Sequence, residues 1–244
     1  MSSNRRDFLK SSVAAAALGG FGSIAGTGQA DELPAGEVVF QRRLAVRHEV
    51  DVFVAGGGPA GVAAAVAAAR QGARVFLAER NTCLGGMGTA GMLPLFMPFS
   101  DGIRNLAGGI GEEIQRRLAD SGGNGPGSNV TIRAEVLKRL YDELLQEAKV
   151  DFTFHTGMVA VESDAERVSS VVLAGKSGLF AVQARMFLDC TGDGDLAAWA
   201  GAPFEKGDEH GNMMAGTLCS LWADIDWSKV HQGGRASDES RLEN

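Results

Sequence analysis

The feature that most constrains this chain is a set of three glycines at fixed spacing, Gly56, Gly58 and Gly61, set between an apolar run and an alanine-rich one. Residues 50–55 (VDVFVA) read as a short buried parallel strand. Gly56-Gly57-Gly58-Pro59-Ala60-Gly61 follows at once, then an alanine-dominated helix over 62–71, which Gly72 ends as a C′ residue. Residues 74–78 (RVFLA) read as a second strand that stops at Glu79. A strand, a glycine turn, a helix and a strand ending in an acid make a βαβ unit.

Each part of that unit has a physical task. Gly56 permits the tight strand-to-helix turn, Gly58 lacks the Cβ that would strike a diphosphate, and Gly61 lets the helix sit close to the strand. Pro59 and Ala60 lie within the same turn. Free amides and the positive end of the helix dipole then face the diphosphate. Glu79 is expected to accept hydrogen bonds from the adenosine ribose, and its charge would repel a 2′-phosphate. A lone GxGxxG means little in a glycine-rich chain, but here the strand, the helix and the acid stand in the right places. The expectation is a dinucleotide site.

Glycine content matters to that argument. The chain holds 34 glycines in 244 residues, twice the usual share of about 7%. With six prolines and no collagen-like period, the excess serves tight turns and close backbone approach. The net charge of −7 speaks against nucleic acid as a partner, since phosphate binding needs a basic face. Cys83, Cys190 and Cys219 lie far apart with no CxxC pair, so no zinc or iron–sulfur site is expected within this segment. One disulfide would be possible in an oxidising compartment, though three small half-buried residues is the plainer reading.

The first 30 residues read as an address. Arg5 and Arg6, then Phe8-Leu9-Lys10, precede a weakly apolar stretch and a small-residue site at Gly28-Gln29-Ala30. The arrangement fits a twin-arginine signal peptide, which carries folded proteins, and predicts a periplasmic or exported product. No other stretch is long and apolar enough to cross a bilayer as a helix.

Three features beyond Glu79 favour FAD over NAD. Residues 80–91, from Arg80 through Gly85 and Gly86 to Gly91, stay glycine-rich and irregular, as suits a path along an extended ligand. An amphipathic helix is expected over 131–149, followed by a short strand at 152–154. Strands at 158–161, 168–174 and 179–184 read as an antiparallel meander. A separate apolar strand at 186–189 then leads into Cys190-Thr191-Gly192-Asp193-Gly194-Asp195 and a short helix through Ala200.

In this order, GGGPAG, the terminal Glu79, LGG, the meander and DCTGDGDLAAWAGAP resemble the FAD-dependent oxidoreductase family. Its relatives include the heterodisulfide reductase flavoprotein and the fumarate reductase/aspartate oxidase group. The resemblance spans roughly residues 48–217. It implies an α/β FAD/NAD(P)-binding Rossmann-like parallel sheet with a small antiparallel meander. It also implies that Gly56, Gly58 and Gly61 hold the pyrophosphate, Glu79 the ribose, and Gly85 and Gly86 the flavin side. Met158 matches the meander position whose backbone reads adenine, and Thr191 and Gly192 match the second phosphate-side turn. Asp193 matches either a cofactor contact or the cap of the following helix.

The family's members are usually longer, with a substrate domain after this region. The expected division is a signal over 1–30, a linker or edge segment over 31–47, the FAD domain over 48–217, and over 218–244 either the start of a missing substrate domain or a disordered tail. The implied partners are a small-molecule hydride donor and an unspecified electron acceptor. No catalytic residue is assigned. His48 and His155 sit beside strands and read as structural, while His210 lies where the family's chain heads toward substrate; His231 falls in the polar tail. Cys83 lacks the neighbouring thiol that disulfide chemistry needs. Two other readings stay open: a catalytically silent nucleotide-binding module, and an NAD-linked Rossmann dehydrogenase.

Overall fold

In the computed structural model, which describes residues 39–97, 99–125, 130–164 and 167–226, the glycine turn is preceded by β1 (Val46–Ala55). The signal-like segment and His231 lie outside the described residues. Residues 39–42 are exposed and carry no regular structure; the elements below belong to the unit that starts at Arg43. β1 begins earlier than expected because only its last three residues are buried, and its outer half carries three consecutive polar residues, Arg47, His48 and Glu49, which hide the strand in the sequence.

After the turn come α1 (Pro59–Arg70) and β2 (Val75–Ala78), the latter buried throughout. α1 buries Gly61, Val62, Ala65 and Val66 on one stripe, and these small side chains admit close helix–sheet contact. Gly72, at φ +88°, ends the helix as predicted, its amide donating to the Ala69 carbonyl.

α2 (Ile110–Asp120) was not anticipated: its short stripe buries only Ile114 and Leu118 behind a charged outer face. α3 (Ala134–Glu147) fills the place of the expected amphipathic helix and buries Leu137, Leu140, Tyr141, Leu144 and Leu145. The chain continues through β3 (Asp151–Thr153), β4 (Gly157–Ser163), β5 (Val168–Gly175), β6 (Gly178–Asp189) and α4 (Asp195–Trp199).

The two strands expected at 179–184 and 186–189 are one. β6 is continuous, pairing antiparallel with β5 along its first part and parallel with β1 from Ala181 to Asp189. The exposed polar Gln183 and Arg185 interrupt its apolar pattern, which is why the sequence suggests a break.

The strand order is β3-β2-β1-β6-β5-β4. β1, β2, β3 and β6 are mutually parallel, and β5 and β4 extend the sheet antiparallel. β3 and β4 sit at opposite edges, yet only Phe154, His155 and Thr156 join them. Such a linker reaches at most about 14 Å, whereas the edges of a flat six-stranded sheet lie roughly 24 Å apart. The sheet therefore curls, and its antiparallel limb closes over one face of β1 and β2. Phe53 and Phe76 pack there with Val171, Leu173, Phe180 and Val182. On the other face, Val54 and Leu77 meet Val62 and Val66 of α1 and Leu137 and Leu144 of α3.

An ion-pair network ties the helices over that second face. Arg70 pairs with Glu113 at 2.7 Å, and Arg117 with Glu147 at 2.6 Å. Among the described residues, no helix is long and apolar enough to cross a membrane.

Candidate functional site

The C-terminal ends of β2, β1 and β6 lie side by side, and the glycine turn leaves from the middle one. Its glycines are required for different reasons. At Gly56, φ is +96°, and a side chain would collide with the Cys190 carbonyl. A side chain on Gly61 would collide with the Gly56 carbonyl oxygen. Gly57 is pressed by Leu84, whose Cδ2 would lie 2.5 Å from an added Cβ. Gly58 differs from all three: its φ of −66° and ψ of −178° suit any residue, and an added Cβ would meet nothing within 4 Å. Nothing among the described residues requires a glycine there.

The sequence assigns the amides of this turn to a diphosphate, and the structure narrows that set. The Gly56 N–H donates to the Ala78 carbonyl at 2.9 Å, and the Gly57 N–H to Glu79 Oε2 at 2.6 Å. No side chain caps α1, so the donors left at the turn begin at Gly58 and run into the first helical turn through Pro59, Ala60 and Gly61. Pro59 at the first position contributes no donor but fixes the helical start.

Glu79 is 4% exposed, and its other oxygen accepts the Asn81 N–H at 2.7 Å. The carboxylate therefore clamps the glycine turn to the end of β2 in addition to any ligand it meets; each oxygen keeps a second acceptor site. Main-chain bonds bring the β3–β4 linker against it, with the Thr156 N–H on the Glu79 carbonyl at 3.0 Å and the His155 N–H on the Asn81 carbonyl at 3.1 Å. Met158, two residues on, is half-buried on β4 beside a bulge. Arg80 is exposed, its Cβ 3.9 Å from where a Gly157 side chain would begin.

The LGG segment folds back onto the turn. The Gly85 N–H donates to the Gly57 carbonyl at 2.8 Å, and an added Cβ on Gly86 would lie 3.3 Å from Gly58 Cα. Both glycines have positive φ, +104° and +51°. The Thr89 hydroxyl, donating to the Leu84 carbonyl at 2.5 Å, holds this segment in place.

On the other flank, Asp189 ends β6. Oδ1 accepts the Thr191 N–H at 3.0 Å and its hydroxyl at 2.8 Å, and Oδ2 accepts the Ala197 N–H at 2.9 Å. Burial alone would raise this carboxyl's pKa, but the bonds from Ala197 and Thr191 outweigh it and hold Asp189 below the usual carboxylate range. The Thr191 oxygen in turn accepts the Asp195 N–H at 3.0 Å. The helix-cap role offered for Asp193 thus belongs to Asp189 and Thr191; Asp193 is exposed and caps nothing. Gly192 is likewise exposed, with φ +95°.

Sequence reasoning missed Asp189, Gly57, Asn81 and Thr89. Asp189 carried a signal, since it ends an apolar strand as Glu79 does; the other three act through local geometry with no sequence mark. Among the described residues, no histidine side chain bonds to the glycine turn. His48 stacks on Phe76 at 3.7 Å and pairs with Asp151 at 3.3 Å, in a shallow concavity of about 440 Å³ that His155 also lines. His210 is exposed beside Glu209. Cys83, Cys190 and Cys219 are all free thiols, so no disulfide links them. Among the described residues no cluster of three or more His, Cys, Asp or Glu could hold a metal ion.

A family profile described as FAD dependent oxidoreductase matches residues 51–241. No curated protein gives a significant match. Among solved structures, the chain is similar to a geranylgeranyl bacteriochlorophyll reductase-like protein of Thermoplasma acidophilum, at 19% identity and a TM-score of 0.47 over 63% of this chain and 42% of that one. It is similar to the THI4 protein of Thermovibrio ammonificans at 20% identity and a TM-score of 0.45, over 62% and 61% of the two chains. It is also similar to p-nitrophenol 4-monooxygenase of Pseudomonas putida DLL-E4, at 16% identity and a TM-score of 0.46 over 65% and 45%. The match thus accounts for less than two thirds of each of those chains.

Proposed function

The chain belongs to the FAD-dependent oxidoreductase family, and from that premise we propose that it binds FAD in the glycine turn and oxidises a small-molecule donor. The observation that carries this is Gly58. Neither its backbone nor any described neighbour needs a glycine there, and the bare surface it leaves lies at the uncapped start of α1. A diphosphate resting there accounts for the glycine.

In this reading Gly56 and Gly61 shape the turn, and Gly58, Ala60 and Gly61 offer amides to the diphosphate beside Pro59. Glu79 uses its remaining acceptor sites on the adenosine ribose, and Arg80 and the Met158 backbone flank the adenine. Gly85 and Gly86 support the flavin side, and Thr191, Gly192 and Asp193 form the second phosphate-side turn. Bound FAD would supply the redox chemistry, and these residues would bind and orient it toward a small-molecule hydride donor. An electron acceptor of unspecified kind completes the proposed set of partners. The proposal extends to export: the Arg5-Arg6 segment suits a protein that folds around its cofactor in the cytoplasm and reaches the periplasm by the twin-arginine route.

Purification of the full chain tests this. The expected product is yellow, with a flavin spectrum bleached by dithionite. Colourless protein that added FAD fails to stabilise would overturn the reading, and binding of NADH without flavin would replace it with an NAD-linked dehydrogenase. Gly58→Val should abolish FAD retention. Equal FAD content in Gly58→Val and wild type would remove the site from this turn.

A further inference from the structure

Resting on the FAD-binding reading above, we infer that Asp189 is a positioning residue, which sets how tightly the flavin-side half of the cofactor is held. β6 flanks β1 on the side away from β2, so Asp189 and Glu79 stand on opposite flanks of the glycine turn. Glu79 grips the turn directly through the Gly57 N–H. Asp189 acts through the loop that follows it.

The bonds from Thr191 and Ala197 to Asp189, with that from Asp195 to the Thr191 hydroxyl, close residues 189–197 into a loop. At its apex are Gly192 and Gly194, both at positive φ, where an added Cβ would meet nothing within 4 Å. The exposed Asp193 stands between them and forms no hydrogen bond to the described residues. The base of the loop is locked to the nucleotide turn. The Cys190 N–H donates to the Ala55 carbonyl at 2.8 Å, the Cys190 carbonyl abuts Gly56, and Cys190 Cβ would lie 3.3 Å from an added Cβ on Gly61. The side-chain bonds thus shape the base and sides of the loop, the base is held against the glycine turn, and Asp193 at the apex stays unengaged by the described residues. A neutral residue at 189 would weaken the charge-assisted acceptor that sets this shape, while the adenosine side, gripped by Glu79, would stay as it is.

The test uses the full chain freed of flavin, with Asp189→Asn, Thr191→Val and Thr191→Ser. Dissociation constants are measured for FAD and for AMP, which carries only the adenosine half, alongside melting of each apoprotein. Asp189→Asn and Thr191→Val should each weaken FAD binding by about tenfold or more, the scale of one lost charge-assisted bond. AMP affinity should stay within about twofold, and Thr191→Ser, which keeps the hydroxyl, should bind FAD as wild type does. Unchanged FAD affinity in folded Asp189→Asn and Thr191→Val would overturn the inference. So would equal weakening of FAD and AMP in step with a lower melting temperature, since that marks a purely structural residue. Wild-type protein that binds no FAD would sink the underlying reading, and this inference with it.

Discussion

The two turns at the ends of β1 and β6 lie in contact and are built by opposite means. The first, Gly56–Gly61, is shaped by missing side chains: collisions with the Cys190 and Gly56 carbonyls forbid a Cβ at Gly56 and Gly61, and no side chain caps the helix that follows. The second is shaped by side chains present, with Asp189 and Thr191 taking up the amides of residues 191, 195 and 197. The first turn, with no side-chain cap on its helix, leaves the donors from Gly58 onward open. A turn made of hydrogen bonds engages its donors internally and contributes shape. On the proposed reading, the first turn offers the open amides and the second chiefly holds its own shape beside it, and substitutions can break that division at each position.

The largest expected effect is at Gly61. A methyl there meets a backbone oxygen, which cannot swing aside as a side-chain tip would. Gly61→Ala should cost about 3 kcal/mol or more, at the upper end of overpacking penalties, and lower the melting temperature by roughly 6–12 °C. A melting temperature equal to wild type would show that the turn has room the structure denies it.

Glu79→Gln comes next. The isosteric amide can accept one of the two N–H groups, but its NH₂ faces the other, leaving Gly57 or Asn81 without an acceptor at a site only 4% exposed. The expected loss is about 1.5–3 kcal/mol in apoprotein stability. If Glu79→Gln weakened only ligand binding and left apoprotein melting untouched, the acid would serve the ligand alone and the first turn would owe nothing to side chains.

These two positions also mark how far the sequence could be read. Gly56, Gly58, Gly61 and Glu79 were legible because a βαβ turn imposes their spacing on the chain, and the helix at 134–147 because its apolar stripe repeats every turn. Asp189 was not singled out because its partners, apart from the Thr191 hydroxyl, are amides, and an amide at residue 197 looks like every other amide in a sequence. The curl of the sheet was equally hidden. It follows from the three-residue β3–β4 link only once the strand order is known. Residues 201–226 show the limit from the other direction: Met214, Leu218, Leu221 and Trp222 fall at the helical spacing i, i+4, i+7 and i+8, yet all four are exposed and the segment forms no helix. A helical period whose apolar stripe packs against none of the described residues did not specify an element.

Asp189→Asn sharpens the comparison through pH. The folded carboxyl titrates below its ordinary value of 3.8 because Ala197 and Thr191 donate to its charged form against the opposing effect of burial. A lowered folded pKa stabilises the protein fully above the unfolded value, and that contribution fades as pH falls through the folded one. The melting difference between wild type and Asp189→Asn should therefore be constant from neutral pH down to about pH 5 and shrink below about pH 4. A difference that stayed level through acid would mean the carboxylate charge contributes nothing to the second turn.

The smallest expected effect on stability falls at the position that matters most to the proposed function. Gly58 has an ordinary extended backbone and open space where a Cβ would start. Gly58→Ala should therefore lower apoprotein melting by no more than about 4 °C, the loss of about 1 kcal/mol expected for alanine at a helix N-cap. The methyl would nevertheless occupy the surface over the unengaged amides, so FAD retention should fall sharply. The two readouts must separate for the division of labour to hold: a position tolerant for the fold and intolerant for the ligand is what a binding surface made of missing side chains predicts. If Gly58→Ala destabilised the apoprotein as Gly61→Ala does, Gly58 would be one more packing glycine, and the turn would need no ligand to explain it.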